Sequence, residues 1–159
     1  MKSGVFWIAV LLFLASAFGA YDFTQHHNAH ELKETLFNER STVFVIYFYK
    51  EFPEDAEKQK TMDEAKAAVK SAVEGKDVVQ IDVDMTEEDS ATLYNPVLEL
   101  LSIPTTLVDE TPVVAVVYNG GGYWIHGKRV PDETVETVDT FIQLKKADHP
   151  TSSGRTGRY

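Results

Sequence analysis

The chain has 159 residues, 43% of them hydrophobic, enough for one domain with its own core rather than two. Its 25 acidic residues outnumber 15 basic ones, for a net charge of −10, so a phosphate backbone would be repelled and nucleic acid is not an expected partner. There is no cysteine, which excludes disulfides, thiolate metal ligation and thiol–disulfide exchange.

Lys2 precedes an almost unbroken apolar run over residues 5–14, followed by the small residues Ala15, Ser16, Ala17, Gly19 and Ala20. A positive start, an apolar run and an A-x-A-like site read as a secretory signal peptide over residues 1–20. If it is not cleaved, residues 5–21 act as a signal anchor. The run falls short of the ~20 apolar residues that usually span a ~30 Å hydrocarbon core. The folded domain is expected over residues 21–148. Residues 149–159, polar with glycine and serine, read as a disordered tail.

Leu32, Leu36 and Phe37 recur at helical spacing within residues 26–38. Residues 42–49 are β-branched and aromatic without polar alternation, the pattern of a strand buried on both faces. Pro53 then suits the first turn of a helix, with Glu54, Asp55 and Glu57 favourably placed against its dipole. Met62, Ala65, Val69, Ala72 and Val73 form its apolar stripe, and Gly75 ends it.

Residues 78–84 read as the next strand. Thr86-Glu87-Glu88-Asp89 resembles a capping box that starts a helix. Pro96 should interrupt that helix at Asn95, with residues 97–101 resuming it. A strong strand over 113–118, a hairpin turn at Asn119-Gly120-Gly121-Gly122 and a partner strand over 123–126 follow. Asp132 is the expected cap of a last helix whose apolar face is Val135, Val138, Phe141, Ile142 and Leu144. The order predicts an α/β fold, a mixed central sheet of four to five strands with helices on both faces.

The segments Phe48-Tyr49-Lys50-Glu51-Phe52, Ile81-Asp82-Val83-Asp84 and residues 113–127 resemble, in order and spacing, the thioredoxin-like superfamily. The resemblance spans roughly residues 23–146 and implies a thioredoxin-like fold. It puts Phe52 in place of the tryptophan before the redox motif, and Pro53-Glu54-Asp55-Ala56 in the motif itself. Tyr47 falls near the position of the acid that assists the family's thiol. Residues 105–110 look like an insertion. The resemblance also implies a cis-proline beside the site, with Pro112 favoured over Pro104, exposing backbone to an extended peptide.

What the resemblance implies is a redox-inactive, non-enzymatic member. It would bind a protein partner or client polypeptide as chaperone, escort or adaptor in the endoplasmic reticulum lumen or after secretion. The candidate partner surface is Phe52, Pro53, Glu54, Thr111 and Pro112. The alternative is a signal-anchored accessory or structural subunit of a membrane protein complex, in contact with membrane only if residues 5–21 are retained.

Other constellations carry less. His26 and His30 share a helix face, but no third ligand is evident and the residue after His26 is His27 rather than the glutamate of a zincin. Counted from Asp82, the glycine and glutamate of a calcium loop are replaced by Glu87 and Leu93. No metal or cofactor is expected. The glycines at 120–122 lack the lysine of a phosphate loop, and no G-x-S-x-G elbow occurs. Tyr123 and Trp124, adjacent on a strand, face opposite sides, one as core and the other as a possible exposed anchor for a partner.

Overall fold

The computed structural model describes residues 21–22 and 28–150. The predicted signal segment, the tail from residue 151, His26 and His27 lie outside the described residues. The elements are β1 (Tyr21–Asp22), α1 (Asn28–Asn38), β2 (Phe44–Tyr49), α2 (Ala56–Val73) and β3 (Val79–Asp84). They continue with α3 (Glu88–Leu100), α4 (Thr105–Val108), β4 (Val113–Tyr118), β5 (Gly121–His126), a 3-10 turn (Gly127–Arg129) and α5 (Val130–Asp148).

The sheet order is β1-β3-β2-β4-β5. β1 and β2 run parallel to β3, while β4 is antiparallel to both β2 and β5. With helices on both faces this is the thioredoxin-like α/β fold that the order of segments predicts. The continuous apolar runs of β2 and β4 follow from this central placement. Phe44, Ile46 and Phe48 join Val113, Ala115 and Val117 in a core layer with Leu32 and Leu36 of α1 and Tyr94, Val97 and Leu98 of α3. Val45 and Tyr47 join Val114 and Val116 in the opposite layer, under Ala65 and Val69 of α2 and Val138 of α5. β1 was not expected from the sequence; its two residues pair with Ile81 and Asp82.

Several local expectations are corrected. Phe37 is exposed, at 61%, because Leu36 already defines the buried stripe of α1 and the next residue lies about 100° round the helix. Pro53 is not in the first turn of α2: Asp55 is the N-cap, so Pro53 and Glu54 form the turn before it. α5 begins at Val130, ahead of Asp132, and its buried positions are Val130, Thr134 and Val138. Val135 and Leu144 are exposed. Thr134 tolerates the core because its hydroxyl donates to the Val130 carbonyl at 2.5 Å.

Pro96 does not break α3, which is continuous from Glu88 to Leu100. An interior proline costs about 3 kcal/mol. Tyr94, Val97 and Leu98 are each at most 1% exposed, and burying such side chains contributes about 1.5–3 kcal/mol apiece, which outweighs that cost. The capping box also fails to form. Glu87 is the N-cap without a side-chain bond, because Thr86 is held by the Asp84 carboxylate instead.

The expected cis-proline is absent: among the described residues every peptide bond is trans, those before Pro104 and Pro112 included. The chain reaches Pro112 from the helical turn of α4, and both the N–H and the hydroxyl of Thr111 return to the Leu107 carbonyl. From there it enters β4 directly, and the Pro112 carbonyl accepts the Gly127 N–H at 2.9 Å, one step beyond the β4–β5 pairs.

Candidate functional site

The corner where the resemblance places a redox motif is built as scaffold. Asp55 is extended, with φ −128°, and its carboxylate accepts the Lys58 N–H at 3.0 Å, capping α2. The Asp55 N–H donates to the Phe52 carbonyl at 3.1 Å, closing a turn around Pro53 and Glu54. The Phe52 N–H donates to Gln59 Oε1 at 2.7 Å, and the Lys58 ammonium lies 5.2 Å from the Phe52 ring centre. No sulfur nucleophile exists anywhere in the chain, so thiol–disulfide exchange has no chemical basis here.

The loop entering this corner is tied from two sides. The Glu51 N–H donates to Thr86 Oγ1 at 2.9 Å, and the Lys50 ammonium pairs with the Asp109 carboxylate just after α4. Tyr47, where the resemblance puts an assisting acid, is fully buried and donates its hydroxyl to the Met62 carbonyl of α2 at 2.8 Å. Burial pushes its phenol well above the usual tyrosine range, and the neighbouring Asp82 charge adds to this.

The register brings all five predicted surface residues to one end of the sheet, since β2 ends at Tyr49 where β4 begins at Val113. They do not form one surface. Phe52 and Pro53 line a shallow hollow of about 570 Å³ along α2, with Ala56 and Gln59. Glu54 is exposed beside it, Pro112 is buried, and neither Pro112 nor Thr111 lines the hollow. The Thr111 N–H, the donor that an incoming strand would use, is occupied by Leu107.

A second concavity, of about 650 Å³, was not foreseen. Its floor is Ala115, Val117 and Trp124 on the α1–α3 face of β4 and β5. Phe37 and Arg40 from the end of α1, and Leu100 from α3, form its walls. Arg129 and His126 stand at one end and the hairpin at the other. Trp124 is half-buried against the α1–α3 core layer, while Tyr123, 47% exposed, accepts a bond from Arg129 Nη2 at 3.3 Å. Arg129 is also held by Glu133 at 2.7 and 2.8 Å, which raises the guanidinium above its ordinary value and lowers the carboxylate. Only Trp124 and Tyr123 carried a sequence signal for this place; the rest comes from three distant segments.

No group of three or more histidine and carboxylate side chains converges among the described residues. His30 is exposed and lies 3.7 Å from Glu34 on its own helix. The described residues also include no helix long and apolar enough to cross a membrane. Compared with models of protein families and with curated proteins, the sequence finds no match.

Proposed function

We propose that this chain is a redox-inactive member of the thioredoxin-like superfamily that acts without catalysis, by binding protein partners or client polypeptides in the secretory pathway. The observation that supports this reading is the build of the corner where the resemblance places a redox motif. Its four positions, Pro53 to Ala56, hold a turn and a helix cap and no nucleophile, within an intact mixed sheet covered by helices on both faces. A fold kept without its chemistry is a fold kept for its surface. Phe52 and Pro53 supply an apolar contact there, in the role of chaperone, escort or adaptor.

The test uses the full chain in two assays. Insulin should not be reduced, and aggregation of a reduced, denatured client should slow at stoichiometric amounts, with Phe52→Ala weakening the effect. Insulin turnover, or clients that aggregate unchanged, would overturn the reading. Secretory location is tested by sequencing the N-terminus of the protein purified from cells. A start near Phe18 or Tyr21 fits a lumenal or secreted protein, and an intact Met1 favours the anchored subunit.

A further inference from the structure

We propose that β5 and the groove beside it are a docking edge for an extended, acidic polypeptide segment. The inference rests on the reading of the protein as a binding module, but not on the Phe52–Pro53 surface.

Backbone geometry supplies the first observation. β5 is the last strand of the sheet, paired among the described residues only with β4. Tyr118 and Gly121 close a two-residue hairpin, with φ 50° at Asn119 and 76° at Gly120, and in such a hairpin the closing pair is mutually bonded. Bonded and non-bonded pairs alternate from there. The Gly127 N–H on the Pro112 carbonyl confirms the phase at the far end. Gly122, Trp124 and His126 therefore aim their N–H and C=O groups away from β4, and among the described residues none of these groups is hydrogen-bonded outside the strand ladder. Exposed edges are usually blunted by lysine, proline or an inward charge. The strand Gly-Gly-Tyr-Trp-Ile-His has none of these. An incoming strand can pair here as it can at any open sheet edge.

Charge selects the occupant. In a chain with 25 acidic residues, the groove beside this edge is lined by no aspartate or glutamate and by two arginines. The hollow along α2 carries Asp63 and Glu64, that beside α4 carries Glu88 and Asp109, and that on α1 carries Glu31, Glu34 and Glu39. Arg129 is already matched to Glu133. Arg40 has no carboxylate within ion-pair distance among the described residues. Its guanidinium lies 5.8 Å from the Phe37 ring centre and against Gly120, where a Cβ would overlap it.

An unmatched cation beside an open strand edge and an aromatic floor suits an acidic strand with apolar residues at alternate positions. A second copy of this chain would bring the same arginines to the same edge, and like charges oppose that pairing.

The test is a fluorescence-anisotropy titration of the full chain with three labelled peptides. One alternates glutamate and valine, the second lysine and valine, and the third is the acidic peptide N-methylated on alternate residues. The acidic peptide should bind, and both others should bind at least about tenfold more weakly, as should the acidic peptide to Arg40→Glu. Arg40 is exposed, and an unchanged urea midpoint verifies that the variant folds. No binding of the acidic peptide, equal binding of the basic or N-methylated one, or indifference to Arg40→Glu would each overturn the docking edge. That holds even where client aggregation is still suppressed, so the two readings fail separately.

Discussion

The hydroxyl of Tyr47 donates to the main-chain carbonyl of Met62 at 2.8 Å, so a side chain of the central strand is bonded to the helix that follows the Phe52–Asp55 turn. Tyr47 also stacks on Tyr49, with ring centres 5.1 Å apart and planes at 16°. The position near which the resemblance puts an assisting acid thus joins β2 to α2. Tyr47→Phe keeps the ring and deletes the donor. It should cost about 1 kcal/mol, read as a lower urea midpoint with an unchanged denaturant slope.

The same phenol predicts an alkaline limit. Burial keeps it protonated in the fold well above the value of about 10 at which it ionises in the unfolded chain. Above that pH the folded state holds a proton that the unfolded state has lost. The stability is therefore complete below about pH 10 and declines as pH rises further. Tyrosinate absorbance and far-ultraviolet circular dichroism followed together should show Tyr47 among the phenols that ionise late, as the fold is lost. Tyr47→Phe should remove that phenol from the count.

Asp55 should matter through its cap. Asp55→Ala leaves the Lys58 N–H at the start of α2 without its side-chain acceptor and should cost about 1 kcal/mol. Asp55→Asn retains an acceptor and should recover most of the loss. Urea unfolding of the two variants side by side decides this; equal losses would mean that charge rather than the cap bond matters.

The Lys50–Asp109 pair, with side chains 21% and 52% exposed, ties the loop before α2 to the end of α4. Asp109→Asn should cost roughly 0.2–1 kcal/mol at low salt, and the difference from the parent protein should shrink in ~1 M salt. Hydrogen exchange at the Thr111 amide, which is bonded to Leu107, should quicken in the variant as α4 loosens.

The central sheet was legible because burial on both faces leaves a mark within one segment. Residues 44–49 and 113–118 can be apolar throughout only where helices cover both sides. The α2 stripe was legible for the same local reason. What local pattern could not give was competition between neighbours. Thr86 resembles a helix cap until the Asp84 carboxylate and the Glu51 N–H take its hydroxyl. Pro96 looks like a break until the burial of Tyr94 and Leu98 is weighed against it. The groove was least legible, because Phe37, Leu100 and Trp124 become neighbours only once the sheet is assembled.

Arg40 and Gly120 offer the sharpest check on that groove. Gly120 sits at φ +76°, and a Cβ added to it would overlap the Arg40 guanidinium. Gly120→Ala should therefore lose about 1–2 kcal/mol for the left-handed backbone and a smaller amount for moving the guanidinium, the far end of an exposed side chain. Arg40→Ala alone, an exposed truncation, should change stability by no more than about 0.5 kcal/mol. In the double variant the arginine no longer resists the methyl group, and only the backbone cost remains. The double variant should thus depart from the sum of the single losses by no more than the arginine itself contributes, about 0.5 kcal/mol, in a urea double-mutant cycle. A coupling well above that would mean that the guanidinium is locked against the turn and does not rest there as a movable side chain.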